Sequence, residues 1–259
     1  MSAITSGPLV SVVVPTFNRR AILPQTIDSI LAQTYSNLEL IIVDNLSIDD
    51  TEAYLQSLRD PRVRYYRNAN DGVIARNRNL GIQSARGKYI ALCDDDDLWQ
   101  PEKLAEQVAV MENNDRIGLC YTNATVFGDN RVGDAWLIKT KVFHNHFTRL
   151  LLRNFIPNSS VLIRRNILDA VGGFDESGNL APFEDYELWL RIAHAHELAY
   201  IDKPLLKYRI HSANWAGKYG NRQRIVINVL QSVRKKLSLT HPLLYVAIAL
   251  RYLKAAISN

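Results

Sequence analysis

Four consecutive aspartates, Asp94–Asp97, follow directly on the apolar run Tyr89–Cys93, and no other feature constrains the fold of this chain as strongly. A short apolar run bounded by polar residues predicts a buried β-strand, which places the acidic cluster at the carboxyl end of that strand. In open α/β sheets, ligands bind beyond the carboxyl ends of the strands. Four adjacent carboxylates repel one another, and a divalent cation or a set of hydrogen-bond donors would relieve that repulsion. A solvated acidic turn is the plain alternative.

The rest of the first half alternates between strand and helix patterns. Helical spacing follows the first apolar run and returns between the later ones, which predicts a layered α/β sheet with mainly parallel strands. The chain has 259 residues, 47% of them hydrophobic, which is enough for one large domain with a sizeable core. The predicted strands are 9–14, 38–43, 63–66, 89–93 and 117–127, and the predicted helices are 21–33, 72–85, 166–171 and 186–195, with two further helices beginning at residues 49–51 and 101–103.

Two features of the composition bear on cellular location. Cys93 and Cys120 both lie in apolar runs, where buried free thiols are expected, so the chain predicts no disulfide framework and suits a reducing cytosol. The first eight residues lack a basic region followed by an apolar one, so no signal peptide is predicted. We therefore expect a cytoplasmic protein, with peripheral contact on the inner face of the plasma membrane as the alternative left open.

Charge is distributed unevenly along the chain. Residues 1–202 hold 20 basic and 26 acidic side chains, a net charge of −6, whereas residues 203–259 hold 11 basic side chains and no acidic one. Ile225, Val229 and Val233 recur at helical spacing, so residues 219–259 are predicted to form a basic amphipathic helical tail. Such a tail either packs on the domain or lies on an anionic membrane. No RNA-binding motif accompanies the charge, so a nucleic-acid partner is not expected.

Polar residues at two other strand ends and on one helix are candidates for ligand binding. The first strand ends at Pro15 and Thr16, and the second ends at Asp44, which could accept a hydrogen bond from a nucleobase or ribose or could cap its own turn. Arg76 and Arg78 lie on an early turn of the third helix. Guanidinium groups match phosphate oxygens, so these two arginines are candidate phosphate contacts, with surface ion pairing as the alternative.

Two further segments carry candidate residues in the second half of the chain. Phe183, Glu184 and Asp185 stand at a predicted helix start, where a carboxylate serves either as an N-terminal cap or as a general base. His211 follows a predicted strand. A lone histidine is more often structural, and the other interpretation of His211 is a metal or phosphate contact.

Taken in order, these segments resemble the family 2 glycosyltransferases of the GT-A fold. The matching segments are residues 13–19, 41–45, 78–81, 87–99, 172–175, 184–185 and 208–211, so the resemblance extends from about residue 9 to residue 212. It implies a Rossmann-like, layered α/β/α domain over residues 1–218 with a mixed, mainly parallel sheet. Residues 219–259 would follow as the helical tail.

The resemblance also implies roles for individual residues. On the donor side, Asp44 would contact the nucleobase in a pocket lined by Pro15 and Thr16. The diphosphate would face Arg78, with Arg76 as the alternative contact. The family's Asp-x-Asp pattern falls on Asp94 and Asp96, with Asp95 near the ribose. Asp96 would then bind Mn²⁺ or Mg²⁺, joined by His211. On the acceptor side, Asp185 would be the catalytic base, next to Glu184 and Phe183.

One departure from the family pattern affects the loop after Asp44. Asn45-Leu46-Ser47 stands where the family usually has an acidic residue, glycine and serine. Leu46 must therefore adopt a turn that normally takes glycine. The departure removes no chemical group that the implied reaction requires.

The activity implied by the resemblance is an inverting sugar transfer. The donor would be a nucleotide-diphospho-sugar, expected to be UDP-linked, and the acceptor a hydroxyl of a glycan or lipid-linked molecule in bacterial surface polysaccharide biosynthesis. One alternative is a metal-dependent phosphatase of the haloacid-dehalogenase type, although Leu98-Trp99 stands where that class expects Thr or Val. The other alternative is an inactive nucleotide-sugar-binding scaffold.

Overall fold

The computed structural model describes residues 7–128, 131–136, 145–210 and 222–257. Strands and helices alternate through the first half of the chain, as the sequence pattern predicts. The strands are β1 (Val10–Thr16), β2 (Leu38–Asp44), β3 (Val63–Arg67), β4 (Tyr89–Leu92), β5 (Leu98–Trp99), β6 (Ile117–Gly128), β7 (Arg131–Trp136), β8 (Val161–Arg164) and β9 (Glu197–Arg209). The helices are α1 (Leu23–Leu31), α2 (Thr51–Ser57), α3 (Ile74–Ser84), α4 (Lys103–Glu112), α5 (His146–Leu152), α6 (Arg165–Val171), α7 (Glu184–Ala195), α8 (Arg222–Lys236) and α9 (Pro242–Ile257).

The described strands form one mixed sheet in the order β3-β2-β1-β4-β8-β6-β9-β5, with β7 paired to β6. Strands β1 to β4 run parallel, and β8 reverses the direction next to β4. The expected layered α/β fold with a mixed sheet is confirmed. The two-residue strand β5 was not predicted, because Leu98 and Trp99 were expected to lead directly into a helix. They instead pair with Leu206 and Lys207 of β9.

The parallel half of the sheet brings polar strand ends together. Thr16 and Asp44 occupy the last paired position of β1 and β2, and Val13 of β1 pairs with Leu92 at the end of β4. Every residue of β1 and β2 is buried, as expected for parallel strands covered by helices on both faces. The loops that follow these strands therefore meet at one edge of the sheet.

Alternate residues of the central strands enter two separate hydrophobic layers. Val13 and Ile41 belong to the layer that also contains side chains of α3, α5, α7 and α8. Val12 and Ile42 belong to the opposite layer, which contains side chains of α1 and α4. This division is the three-layer α/β/α arrangement, and it fixes the helices that flank the polar edge of the sheet.

The C-terminal helices pack on the domain. Val229 and Val233, two of the apolar positions identified from the sequence, are fully buried in the same layer as α7. No helix in residues 7–128, 145–210 or 222–257 combines the length and apolar content needed to cross a bilayer. The expected boundary between residues 218 and 219 lies outside the described residues and stays a prediction.

Candidate functional site

The first aspartate of the acidic run is held by three side chains from two other segments. The main-chain N–H of Asp94 donates to Ser159 Oγ at 2.9 Å. The carboxylate oxygen Oδ1 of Asp94 accepts hydrogen bonds from Arg78 Nη2 and Asn158 Nδ2, both at 2.8 Å. The start of the acidic turn is therefore fixed to α3 and to the short 3₁₀ turn at Asn158–Ser160.

The second aspartate faces β1 and α1. Asp95 Oδ2 accepts from Thr16 Oγ1 at 2.8 Å, Asp95 Oδ1 lies 3.5 Å from Arg19 Nε, and the Asp95 carbonyl accepts from Thr26 Oγ1 at 3.1 Å. Burial and the charge on Asp96 together raise the pKa of Asp95 to about 7, although Arg19 opposes both effects. The positive charge of Arg19 therefore does not fully offset the negative charge of the acidic turn.

The last two aspartates are held by the end of β9. The main-chain N–H of Arg209 donates to Asp97 Oδ1 at 2.9 Å, and Arg209 Nε donates to the Asp96 carbonyl at 2.7 Å. Burial, with the charges on Asp96 and Asp94, raises the pKa of Asp97 well above its ordinary range. Asp96 itself is half-buried on this turn.

Arg78 connects the acidic turn to the start of α7. Its Nη1 donates to Glu184 Oε1 at 2.6 Å while its Nη2 holds Asp94. The side chain of Arg78 is buried, with its guanidinium 5.3 Å from the centre of the Phe174 ring. Burial alone lowers the pKa of Arg78, but the carboxylates of Asp94 and Glu184 raise it above its ordinary value, so the cation keeps its charge.

Two polar atoms of this pair have no hydrogen-bond partner within the described part of the chain. They are Arg78 Nε and Glu184 Oε2, and both are buried. Buried polar atoms are nearly always satisfied in folded proteins, and exceptions often mark functional sites. The pair therefore holds one free donor and one free acceptor beside the acidic turn.

Asp185 is the second residue of α7 and lies next to this pair. Its Oδ1 accepts from the main-chain N–H of Tyr186 at 2.6 Å. Burial, with the charges on Glu184 and Asp94, raises the pKa of Asp185 to about 7, although the charge on Arg78 acts to lower it. A carboxylate that exchanges its proton near neutral pH has the property that a general base requires.

Asp44 is turned towards its own loop. Both carboxylate oxygens accept from the Ser47 main-chain N–H, at 3.1 and 3.2 Å, and they also accept from the Ser47 hydroxyl and, at 3.2 Å, from the Tyr65 hydroxyl. Asp44 therefore caps its own turn, which is one of the two roles that the sequence left open. The other role, contact with a nucleobase, stays a prediction. Leu46 has a φ of 56°, so it does adopt the left-handed turn that normally takes glycine.

The loops after β1, β2 and β3 are joined by hydrogen bonds. The Asn18 main-chain N–H donates to Ser47 Oγ and the Ile48 N–H donates to Asn18 Oδ1, both at 2.8 Å. The Asn45 N–H donates to the Thr16 carbonyl at 2.9 Å, and Asn45 Oδ1 accepts from the Asn70 N–H at 3.0 Å. These contacts bind three separate loops into one surface.

Not every predicted site residue joins the cluster. The guanidinium of Arg76 pairs with Asp71 in the loop before α3. Pro15 is a buried residue of β1, paired with Val43. The ring of Phe183, at the start of α7, lies 5.6 Å from the guanidinium of Arg222. His211 lies outside the described residues.

Sequence reasoning did not assign roles to three residues of the site. Arg209 lies in a segment that carried the family resemblance, so the segment was identified from the sequence. The hydrogen bonds of Arg209 to Asp96 and Asp97 were not predicted. Asn158 and Ser159 lie where the strand and helix pattern is weak, and nothing local indicates that they bind Asp94. Within the described residues, no group of three or more His, Cys, Asp or Glu side chains is arranged to hold a metal ion.

Residues 11–172 match the family model described as Glycosyl transferase family 2. The chain is 31% identical over 219 residues to an uncharacterized glycosyltransferase of Rickettsia prowazekii, covering 80% of this chain and 65% of that relative. It thus spans just under two thirds of the length of that protein. It is also 29% identical over 211 residues to the UDP-Glc:alpha-D-GlcNAc-diphosphoundecaprenol beta-1,3-glucosyltransferase WfgD of Escherichia coli, covering 80% of this chain and 79% of WfgD.

Solved structures share the fold at low sequence identity. Residues 1–349 of TarS from S. aureus superpose with a TM-score of 0.73 at 17% identity, covering 96% of this chain and 73% of that chain. The mannosyltransferase PcManGT from Pyrobaculum calidifontis, in complex with GDP-Man and Mn²⁺, gives a TM-score of 0.66 at 16% identity, covering 100% of this chain and 78% of the other. With the family model matching more than half of the sequence and the sheet built in the same way, this chain belongs to glycosyl transferase family 2.

Proposed function

We propose that this protein is an inverting glycosyltransferase that moves a sugar from a nucleotide-diphospho-sugar to a hydroxyl of a glycan or lipid-linked acceptor. One observation carries the proposal: Arg78 bridges the acidic turn at Asp94 to Glu184, beside Asp185, whose pKa lies near 7. A site for an anionic leaving group and a proton acceptor thus share one edge of the sheet. WfgD, whose name gives UDP-Glc and a diphosphoundecaprenol-linked sugar as its substrates, supports a UDP-linked donor and a role in surface polysaccharide biosynthesis.

The donor would bind along the loops that follow β1, β2 and β4. Thr16 and Asp95 are hydrogen-bonded to each other at the ends of β1 and β4, where a ribose would meet them. Asp44 holds the loop that would enclose the base. The diphosphate would lie against Arg78, whose Nε is an unused donor, since guanidinium groups recognise phosphate oxygens.

The acidic turn suits a divalent cation. Burial and mutual repulsion raise the pKa of Asp95 and Asp97, and a bound cation would relieve that repulsion. Mg²⁺ commonly uses only one or two protein carboxylates together with substrate phosphates. Asp96 would be the protein ligand for Mg²⁺ or Mn²⁺, with His211 as the second predicted ligand. When bound, the ion would offset the charge that develops on the leaving diphosphate.

Asp185 would start the transfer by taking the proton of the acceptor hydroxyl. The acceptor oxygen then forms a bond to the anomeric carbon from the face opposite the diphosphate, while the bond from that carbon to the diphosphate oxygen breaks. The electron pair leaves with the nucleoside diphosphate, and the configuration at the anomeric carbon inverts. Oxocarbenium character is expected in the transition state, as in glycoside hydrolysis.

The direct test replaces Asp185 by asparagine, which keeps the shape of the side chain and removes the base. We expect Asp185→Asn to lower turnover by about 10²–10⁴-fold, the usual contribution of a general base. The dissociation constant of the donor, measured by calorimetry, should stay within about twofold, because the base does not contact the diphosphate. Asp169→Asn, which changes an exposed aspartate of α6, is the matched control. An equal loss of donor affinity would assign Asp185 to binding instead.

A ligand panel tests the donor class. We would measure thermal midpoints with UDP, GDP and TDP, each with Mn²⁺ and with EDTA, because a ligand that binds the native state raises the midpoint by mass action. A shift with UDP that requires the metal supports the proposed donor and cofactor together. A shift with another nucleotide would assign a different donor. A shift that persists in EDTA would show that nucleotide binding does not require the metal. Binding without turnover on any acceptor tested would favour the inactive scaffold.

A further inference from the structure

The outward half of α9 is apolar. Leu244 and Ala247 face the core and are buried. At 3.6 residues per turn, the large apolar side chains on the opposite side fall within one half of the helix circumference. These exposed side chains are Leu243, Tyr245, Val246, Leu250, Tyr252 and Leu253, with relative exposures from 38% to 61%. A surface helix of a globular protein normally presents a polar face to water, so the outer face of α9 is the reverse of the usual pattern.

Cations and neutral polar groups border this face on the α8 side. The guanidinium of Arg234 lies 5.7 Å from the centre of the Tyr245 ring, and Gln231 Nε2 donates to the Tyr252 hydroxyl at 3.2 Å. Lys235 is exposed and falls about 40° from Gln231 around α8. No aspartate or glutamate occurs anywhere in residues 203–259. Helices α8 and α9 therefore supply an apolar ridge and a border whose own charged groups are all positive.

The apolar ridge and its positive border indicate which kind of partner this surface binds. A second copy of the chain would bring two cationic borders together with no acidic group from these helices between them, which like-charge repulsion disfavours. An anionic bilayer accepts the apolar side chains at the boundary of the acyl region and attracts the arginine and lysine side chains to its headgroups. Tyrosines suit the same depth, because their rings are apolar and their hydroxyls are polar.

Helix α9 is also linked by side-chain contacts to the acceptor side of the site. Arg222, at the start of α8, stacks on Phe183, which directly precedes Glu184 and Asp185. The next residue, Gln223, accepts a hydrogen bond from Arg251 of α9 at 3.1 Å. The C-terminal part of α9 is thus connected through the start of α8 to the start of α7, where the acceptor hydroxyl would be deprotonated.

We infer that α9 lies in the interface of an anionic bilayer and holds the acceptor side of the site at the membrane surface. The membrane contact stands on the surface of α9 and α8 alone. Its use, the capture of a lipid-linked acceptor from the bilayer, rests on the proposed function. The two parts can be separated, since vesicle binding requires neither donor nor turnover.

The test is cosedimentation of the full chain with vesicles of phosphatidylcholine alone and of phosphatidylcholine mixed with phosphatidylglycerol. We expect binding to the mixed vesicles that weakens as salt is raised, and little binding to phosphatidylcholine. Replacing Leu250 and Leu253 together by glutamine should weaken the affinity for mixed vesicles by on the order of tenfold or more, because two apolar side chains no longer enter the bilayer. The double variant Arg234→Gln and Lys235→Gln should lose the preference for anionic lipid.

The control is Ile48→Gln, which removes an exposed apolar side chain from the loop after β2 rather than from the tail. Its vesicle binding should equal that of the unaltered chain. The circular dichroism spectrum and the thermal midpoint should be the same in the α9 variant and the unaltered chain, which shows that the variant is folded. Absence of binding to either vesicle, or equal binding by the α9 variant, overturns the inference. A concentration-dependent dimer that Leu250→Gln with Leu253→Gln dissociates would assign the face to a second copy instead.

Discussion

Two buried arginines each form an ion pair with a glutamate of α7. The two pairs differ in how many of their polar atoms form hydrogen bonds. Arg78 is 4% exposed and pairs with Glu184, and Arg191 is 3% exposed and pairs with Glu187. Arg191 donates to Glu187 through Nε and Nη2, and to the carbonyls of residues 171–173 through Nη1 and Nη2, so all its nitrogens are used. Arg78 leaves Nε unused, and Glu184 leaves Oε2 unused. Unsatisfied polar atoms, rather than burial or charge, distinguish the pair that we propose to face a ligand.

The position of each pair explains the difference. The three carbonyls that Arg191 holds lie at and just beyond the C-terminal end of α6, where carbonyls have no partner inside the helix and a cation is favourable. Arg191 thus joins the end of α6 to α7 and completes the core. Arg78 lies at the polar edge of the sheet, where further hydrogen bonds would come from a bound molecule.

The largest effect on stability is expected from Arg191→Met. The change leaves the fully buried carboxylate of Glu187 without its main partner and frees three carbonyls. Removing one member of a buried ion pair typically costs 3–5 kcal/mol, and we expect about 3 kcal/mol because Lys236 still lies 3.1 Å from Glu187. Urea unfolding followed by circular dichroism measures the loss. A change below about 1 kcal/mol would contradict the structural role of this pair.

Arg78→Met should instead act mainly on activity. We expect turnover to fall by about 10²–10³-fold, as when one donor to a developing negative charge is removed. The change also leaves the buried carboxylate of Glu184 without its ion-pair partner. The loss of stability should still be smaller than for Arg191→Met, because within the described residues Arg78 holds no main-chain carbonyl, and Asp94 keeps Asn158 and remains 30% exposed to water. Turnover corrected for the folded fraction separates the two effects. If corrected turnover matched that of Arg191→Met, the two arginines would be equivalent and the comparison would fail.

The pH dependence of kcat/KM should also differ between the Arg78 and Arg191 variants. Asp185 must be unprotonated to accept a proton, so kcat/KM should rise about tenfold per pH unit below about pH 7 and level off above it. Because the charge of Arg78 lowers the pKa of Asp185, Arg78→Met should move the midpoint to higher pH. Arg191→Met should leave the midpoint unchanged. A profile that is flat from about pH 5.5 to 8.5 would argue against Asp185 as the base.

Lys103 is a third buried cation, and the smallest effect is expected there. It is fully buried, donates to Gln107 Oε1 at 2.7 Å, lies 4.0 Å from the centre of the Trp99 ring, and has no ion pair with a carboxylate in the part of the chain that the structure describes. Burial lowers its pKa to about 7. Because a lysine in the unfolded chain has a pKa of about 10.4, the folded state binds fewer protons between these two values, and stability should rise with pH there.

The penalty for burying Lys103 is therefore complete below about pH 7 and fades as the pH approaches about 10. We expect Lys103→Met to raise the free energy of unfolding by about 1 kcal/mol at pH 6, and by less at pH 9. Denaturant unfolding at the two pH values measures the difference. A variant that is less stable at pH 6 would show that the contacts to Gln107 and Trp99 outweigh the cost of burial.

Local patterns predicted the features that depend on nearby residues. The ends of β2 and β4 follow from apolar runs broken by Asp44 and Asp94, and the unusual turn at Leu46 follows from the missing glycine. Strand β1 instead continues through Pro15 to Thr16, where the sequence pattern predicted an end at residue 14. Contacts between distant segments were not accessible in this way. The bond from Asn158 to Asp94 spans 64 residues and that from Arg209 to Asp97 spans 112, and side chains in the intervening loops show no periodic pattern. Only tertiary packing determines such pairs.

The hydrogen bonds between the loops after β1, β2 and β3 have a consequence for the speed of ligand capture. Asn18, Ser47 and Asn45 hold these loops together through hydrogen bonds within the protein itself. Because the segments are ordered during folding, a ligand need not immobilise them when it binds. The rate of association should then be set by diffusion and by the local electric field, and tuning of affinity should appear mainly in the rate at which the ligand leaves.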